Sequence, residues 1–433
     1  MRKLSLIWAA FLAAFFASAQ TSLRQVTPGE CWMDETRLER LDSVIDGAIS
    51  DGTIPGAVVS VVRGDKIAYL KAYGNKSLVP EVEPMSVETV FDLASLSKCF
   101  GTTLSFMQLI EKGLVRLTDR VDMYIPRFKP WVDPDSGETV DIIIRDLLTH
   151  SSGLDAYANV EGYVSEFGEN TPDSFEKYLA TKAGRNFRPG TKCLYSCLNF
   201  ITLQRILEKV TGQRLCDYAQ ENIFNPLGLK HTSYLPIEAQ GGNGSRRLPV
   251  ASRPYPGKWS AARTIPALAE LCAPTEVQPD GKPLVGVVHD PIARRIMGGN
   301  SGNAGVFSNA EDLSVICAAI MNGGALPGAA PEDRILGPLT VDLMCKAPVQ
   351  NDPAVGRALG WDKDGINPGT RGDIFDPETC IWHTGYTGTS ALIDMKTKTA
   401  LIILTNRVHP EDKGSLARLR ATAANIVAGA IVR

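Results

Sequence analysis

The sequence predicts an α+β protein: a mainly antiparallel sheet built from both chain ends, flanked by N- and C-terminal helices, with a mainly helical insertion. Three observations carry this. Near the N-terminus, GAVVSVVRG and KIAYLKAYG are β-rich runs around the turn Gly64-Asp65. Near the C-terminus, SALIDM and ALIILTNRV flank KTKT as a second hairpin. Between about Ser95 and Asn225, apolar residues recur at helical spacing instead. The boundaries expected from this are a sheet part over 34–94 and 286–433 and a helical part over 95–285.

In order along the chain, MRKLSLIWAAFLAAFFASAQ begins with Arg2 and Lys3, runs apolar from Leu4 to Phe16 and reaches Ala17-Ser18-Ala19. That is the pattern of a secretory signal peptide over 1–19, cut after Ala19, and the apolar run is short for a membrane span. From Asp34, DETRLERLDSVIDGAISDG sets Leu38, Leu41, Ile45, Ala48 and Ile49 on one helical face, with Gly52 as a stop. LSFMQLIEKG and FITLQRILEKVTG are helices of the middle part, with Gly113 and Gly212 at their C-caps. Gly241–Trp259, rich in Gly, Pro, Ser and Arg, is expected as a surface loop. SLARLRATAANIVAGAIV closes the chain as an amphipathic helix.

Composition narrows the partners. The 433 residues are 44% hydrophobic and 21% charged, enough for a large core, and the formal charge of −3 with no basic run argues against nucleic acid. No second run approaches membrane length, so the processed protein is expected to be soluble, without a membrane span, and periplasmic or secreted. The nine cysteines are scattered among apolar neighbours, which suits small hydrophobes and not a disulfide framework. The five histidines show no metal-ligand spacing, and no metal or other cofactor is expected.

One short stretch bears chemistry. In FDLASLSKCFGT, Ser95 and Lys98 stand one helical turn apart, so the lysine amine can reach the serine hydroxyl if a helix starts near Ser95. The serine's own backbone N–H would then be an unpaired donor able to face an oxyanion. Apolar surroundings would bias the lysine towards the neutral amine that accepts a proton. Alone, the spacing also suits two polar residues on an exposed turn.

Two further stretches add weight: TKCLYSCLNF, with Tyr195 in a turn before a helix, and CIWHTGYTGTS, with His383-Thr384-Gly385 in a strand leading into the last hairpin. The order S-x-x-K, Tyr, then His-Thr-Gly resembles the serine β-lactamase and penicillin-binding-protein superfamily, in its class C and esterase-like branch. DIIIRDLLTHSSGL, FRPGTKCLYS, NIFNPLGLKHTSY, NAGVFSNAEDL and ALGW extend the likeness from about Leu38 to the end. The resemblance implies a β-lactamase/transpeptidase-like fold and an acyl-enzyme mechanism. It gives Ser95 as nucleophile, Lys98 as its proton acceptor and Tyr195 as the hydroxyl that relays protons. The oxyanion donors would be the backbone N–H groups of Ser95 and Tyr386, with His383, Thr384 and Gly385 lining the site and Gly385 admitting substrate close to its backbone.

Two departures bear on substrate. Cys197 stands where many relatives have the Asn of Tyr-x-Asn, and His383 where many have Lys. Both lean away from β-lactams and towards esters or D-amino-acid amides and short peptides, cell-wall-derived ones among them. A catalytically weak binding protein and a true class C-type β-lactamase are the competing readings. Elsewhere, His150 reads as a satisfied structural histidine, Ser97 as a packing or hydrogen-bonding residue, and Cys99 and Cys193 as buried thiols. A Ser301 triad with His289-Asp290 or His409 is disfavoured, because GNSGNAG has Asn303 where a nucleophile elbow needs Gly.

Overall fold

The computed structural model describes residues 23–236, 268, 270–346, 356–363 and 369–433. The leader-like run 1–19 and the Gly241–Trp259 loop lie outside the described residues.

The strands are β1 (Arg24–Gln25), β2 (Gly56–Arg63), β3 (Lys66–Ser77), β4 (Glu83–Pro84), β5 (Phe91–Asp92), β6 (Trp131–Val132), β7 (Thr139–Val140), β8 (Ser233–Tyr234), β9 (Val306–Ser308), β10 (Cys380–Thr384), β11 (Ser390–Asp394) and β12 (Thr399–Leu404). The main sheet runs β1-β3-β2-β12-β11-β10, with β4 on β3, and every pair in it except β1/β3 is antiparallel. Both expected hairpins are present, the first turning at Gly64 with φ 65°. The ends of the chain meet where β2 pairs with β12, Val59 opposite Ile403 and Val61 opposite Leu401.

β2 is buried along almost its whole length because both faces are covered. Ala57, Val59 and Val61 join Leu41, Ile45, Leu419 and Val427 of the terminal helices in one core. Val58 and Val62 face the other way, into the core that holds Ile316 of helix Ala310–Met321. Each such aliphatic side chain withdrawn from water contributes about 1.5–3 kcal/mol.

The predicted N-terminal helix is two pieces, Glu35–Leu38 and Arg40–Ser50, meeting at Glu39. Its apolar face is as expected: Leu38, Leu41, Ile45 and Ala48 are buried. The closing helix spans Ala417–Ala430. In the middle of the chain, helices Leu104–Glu111, Ile144–Leu148, Val160–Phe167, Pro172–Thr181, Cys197–Thr211 and Leu215–Ala219 dominate. Gly212 ends the longest with φ 71°, its N–H bonded to Glu208 O. Helical periodicity does not announce the small β6–β7 hairpin, nor β8, which joins β9 and β5 in a three-stranded sheet. That small sheet matters, because β5 leads straight into Ser95.

Candidate active site

The turn that presents Ser95 is held by a buried carboxylate. Asp92 accepts from the N–H of Ala94 at 2.8 Å and of His289 at 2.6 Å, and Ala94 sits at φ 45°. Such a backbone is uncommon for a residue with a Cβ, and the two bonds that fix Asp92 help to hold it. Burial raises the Asp92 pKa, and these N–H donors oppose the rise. The N–H groups of Leu96, Ser97 and Lys98 then turn back on Leu93, Ala94 and Ser95 at 3.0 Å, which starts the helix.

The helix is not regular. Lys98–Thr103 forms a π-helical turn, where the sequence predicts plain α-helix. Two contacts fit the widening: a Cβ on Gly101 would come 2.3 Å from the Tyr234 hydroxyl, and Thr102 Oγ1 donates to Gly302 O at 2.7 Å. Turns of this kind concentrate at functional sites.

Lys98 is fully buried. Its Nζ lies 3.0 Å from Ser95 Oγ, 3.0 Å from Asn303 O and 3.6 Å from Cys197 Sγ. An ammonium fills these three directions with three donors. A neutral amine fills two, giving its N–H groups to Asn303 and Cys197 and turning its lone pair to the Ser95 hydroxyl. Burial disfavours the ammonium, whereas anions on Cys197 or Tyr195 would hold it strongly enough to raise the pKa. Burial also holds the protons on both neighbours, raising the pKa of each. With both neutral, desolvation favours the free amine, opposed by the more distant pull of the Asp290 carboxylate.

Tyr195 stands just before helix Cys197–Thr211, whose N-cap Ser196 accepts from Asn199 N at 3.4 Å. Lys98 Nζ lies 4.9 Å from the centre of the Tyr195 ring, and the phenol interacts with both Lys98 and Ser95. His150 and His383 flank the ring, with centroids at 4.5 and 5.9 Å. The Arg357 guanidinium lies 5.4 Å from the ring centre, ion-paired with Asp362.

The tautomers of the two histidines follow from their partners. His150 Nδ1 accepts the Ser196 N–H at 2.9 Å, so in the neutral ring Nε2 carries the proton. The reading of His150 as fully satisfied needs correction: it is buried and anchored on one nitrogen, but Nε2 has no hydrogen-bond partner. His383 is the converse. Its Nδ1 lies 2.9 Å from Thr384 O, a pure acceptor, so Nδ1 is protonated and Nε2 keeps a lone pair, again buried and without a partner. Burial, with help from Arg357 and Lys98 against the pull of Asp362, lowers the His383 pKa to about 4. Burial likewise takes His150 well below the usual histidine range.

The turn after β10 is fastened to the strand that precedes Ser95. Thr387 Oγ1 donates to Asp92 O at 2.7 Å, and Gly385 N–H to Thr389 O at 2.8 Å. A Cβ on Gly385 would lie 2.1 Å from Thr389 Oγ1 and 2.4 Å from Leu93 O. Gly385 is therefore small because another segment of the chain presses on it, a reason that the sequence does not show. Thr384 is half-buried at the strand end. Among the described residues, neither the Ser95 nor the Tyr386 backbone N–H donates a hydrogen bond. The Tyr386 side chain is exposed; its hydroxyl donates to Asp412, and Arg407 lies over its ring.

The other candidates are engaged elsewhere. Ser301 is buried and donates to Asn303 Oδ1 at 2.6 Å. His289 Nε2 meets Glu276 at 3.2 Å, and His409 is bound on both nitrogens, by Leu78 N–H and Thr275 O. Ser97 Oγ accepts from Val306 N–H at 3.0 Å, a structural bond. Cys99 is buried with Sγ 3.2 Å from Gly360 O, whereas Cys193 is half-exposed, contrary to expectation. No disulfide is formed among the described residues. Among the described residues no cluster of three or more His, Cys, Asp or Glu could hold a metal, and no helix is long and apolar enough to cross a membrane. A cavity of about 610 Å³ at the β1–β3 edge, lined by Glu30, Glu39, Asp42 and Tyr69, contains none of the site residues.

Residues 41–425 match the Beta-lactamase family model, and the chain belongs to that family of serine hydrolases. It is 30% identical over 384 residues to the N-acetylmuramyl-L-alanine amidase of Bacillus subtilis (strain 168), covering 86% of this chain and 81% of the relative. It is 28% identical over 399 residues to an Escherichia coli (strain K12) protein provisionally named a D-alanyl-D-alanine carboxypeptidase, covering 89% and 86%. Among solved structures, EstCE1, a hydrolase with promiscuous acyltransferase activity, superposes with TM-score 0.65 at 22% identity, over 91% of this chain and 99% of its own. Simvastatin synthase (LovD) from Aspergillus terreus gives 0.63 at 20%, over 91% and 98%. These structures share the expected fold: helices around a mainly antiparallel sheet.

Proposed function

We propose that the protein hydrolyses an ester or a D-amino-acid amide or peptide through an acyl-enzyme on Ser95. The observation that carries this is Lys98 Nζ at 3.0 Å from Ser95 Oγ; as a neutral amine, the lysine has a lone pair to take the hydroxyl proton. In this reading Ser95 Oγ attacks the carbonyl carbon and its proton passes to Lys98. The developing oxyanion takes the unoccupied N–H groups of Ser95 and Tyr386, a kind of contact worth on the order of 10²–10³ in rate per donor. Tyr195, coupled to both Ser95 and Lys98, relays the proton to the leaving group and later draws one from the deacylating water. The names of the relatives, an amidase and a provisional carboxypeptidase, support substrates of cell-wall origin. The Arg2-Lys3 start and the apolar run behind it support a periplasmic or secreted location.

Intact-mass measurement after treatment with a fluorophosphonate probe tests the reading. The expected result is one adduct, lost in Ser95→Ala together with p-nitrophenyl ester hydrolysis and with the fold kept. No adduct at high probe concentration would favour a binding protein on the same fold, and labelling lost in Ser301→Ala instead would move the nucleophile.

A further inference from the structure

We propose that the open stretch of β3 between β1 and β4 docks an extended segment of another polypeptide, one in which cationic side chains alternate with apolar ones. The stretch lies near the end of the sheet opposite β10 and holds none of the residues of the proposed acyl transfer.

β1 covers β3 only at Lys66 and Ile67, and β4 covers it only at Asn75 and Ser77. Among the described residues, Ala68–Tyr73 therefore has β2 alone as a strand partner. Two bonds at its end fix which backbone groups are left over: Asn75 N–H turns inward to Pro55 O, and Gly74 O turns outward to Met85 N–H. Alternation along the antiparallel pair then points the N–H and C=O groups of Leu70 and Ala72 away from β2, where no other described strand meets them. Such an edge is a template for an added strand, and at roughly 3.3 Å per residue it offers about 20 Å of pairing.

There is room for the added strand. The cavity of about 610 Å³ lies against Ala68–Lys71, with Pro28, Leu38, Glu35 and Glu39 on its other walls. Two of its four carboxylates are answered within the protein: Asp42 takes Lys71 Nζ at 2.7 Å, and Glu30 takes Arg24 at 2.8 Å. Glu35 and Glu39 are exposed, and neither has an ion-pair partner among the described residues. Glu39 N–H bonds Glu35 O at 2.9 Å, so the two stand one helical turn apart, a spacing at which like charges repel. A cation placed between them removes that repulsion.

The two faces of the edge differ. Tyr69 and Lys71 point to the helix side, where Asp42 receives both, whereas Leu70 and Ala72 pack towards the core on the other side. A strand added here turns successive side chains to these two faces, cations to Glu35 and Glu39 and apolar groups beside Leu70 and Ala72. A second copy of this chain suits the edge poorly, because two-fold pairing sets each acidic wall near its own counterpart.

Fluorescence anisotropy of a labelled Lys-Val-Lys-Val-Lys-Val amide, titrated with the full-chain protein at low salt, tests the proposal. The control is the same peptide N-methylated at every residue, which keeps the charge and removes the strand donors. The expected result is saturable binding, at least tenfold weaker for the N-methylated peptide. In the double variant Glu35→Gln/Glu39→Gln, binding should weaken at least threefold with p-nitrophenyl ester hydrolysis unchanged. No binding at millimolar peptide, equal binding of the N-methylated control, or full binding by the double variant overturns the inference. Sedimentation of the free protein as a dimer that the peptide leaves intact would give the edge to a second copy and overturns it equally.

Discussion

The Thr389 hydroxyl donates to the Leu93 carbonyl at 3.0 Å, and this bond ties the turn after β10 to the backbone two residues before Ser95. With Thr387 on Asp92 O at 2.7 Å, it makes one rigid unit of the two segments that carry the proposed oxyanion donors. Their relative position is set by threonine hydroxyls on main-chain carbonyls, so small steric changes here should act on rate before they act on substrate affinity.

Gly385→Ala puts this to the test. The added methyl would meet Thr389 Oγ1 and Leu93 O well inside contact distance. Overpacking of this sort costs about 1–3 kcal/mol, and a displacement of order 1 Å at the reacting centre costs about 10²-fold in rate. A lower melting temperature with kcat reduced about a hundredfold is expected. Unchanged kcat in a folded variant would mean that the turn does not set the geometry.

Lys98→Arg keeps the positive charge but cannot deprotonate in a protein. Acylation by a fluorophosphonate or a p-nitrophenyl ester should fall by at least about 10²-fold, the usual scale of general base catalysis. Stopped-flow acylation rates decide it, and a rate near that of the wild type would remove Lys98 as the base.

Cys197→Asn places an amide where the thiol now contacts Lys98 Nζ at 3.6 Å. If the missing amide is what turns the site away from β-lactams, kcat/KM for a β-lactam should rise several-fold relative to a p-nitrophenyl ester, since one hydrogen bond is worth on the order of 1 kcal/mol. Cys197 is 7% exposed, so melting temperature is measured alongside. A fall in both activities with a lower melting temperature would show a packing role, and an unchanged ratio in a stable variant would leave substrate choice to His383.

The buried imidazole also predicts a pH dependence. With its folded pKa lowered to about 4 from 6.5, His383 binds a proton more readily in the unfolded chain across that interval. Its contribution to stability is full above pH 6.5 and is lost as pH falls through about 4, by roughly 3 kcal/mol. Asp146 works oppositely: burial raises its pKa to about 6, so the stability it contributes at low pH is lost as pH rises through about 6. The difference between wild type and His383→Gln cancels the Asp146 contribution. Urea midpoints should therefore converge between pH 6.5 and 4, and parallel midpoints would mean that His383 titrates normally.

Much of this architecture was legible in the residues. β2 and β3 follow from β-rich runs at a Gly-Asp turn, and the Ser95–Lys98 contact follows from one helical turn of spacing. What was hidden acts through backbone or through distant partners. Asn303 meets Lys98 with its carbonyl, which every residue type has, so neither the failed elbow GNSGNAG nor the family-like NAGVFSNAEDL pointed to that contact. Asp92 stands in FDLAS with nothing to mark that its carboxylate caps Ala94 and His289. The π-turn at Lys98–Thr103 depends on Tyr234 and Gly302, far away in sequence. Arg357 gave no local signal, because its meaning comes from Asp362 and the Tyr195 ring. The tautomers of His150 and His383 could be assigned only once their Nδ1 partners were known.

The pairing of β2 with β12 has a consequence for how activity comes into being. Contacts between such distant parts of a chain form slowly, because loop closure precedes any gain from pairing. Ser95 and Lys98 leave the ribosome early, whereas the Tyr386 N–H arrives with the last strands of the sheet. A nascent chain halted before Cys380 would carry the proposed nucleophile without the proposed second oxyanion donor, so the competence to acylate would wait for strands β10 to β12 and not grow with length.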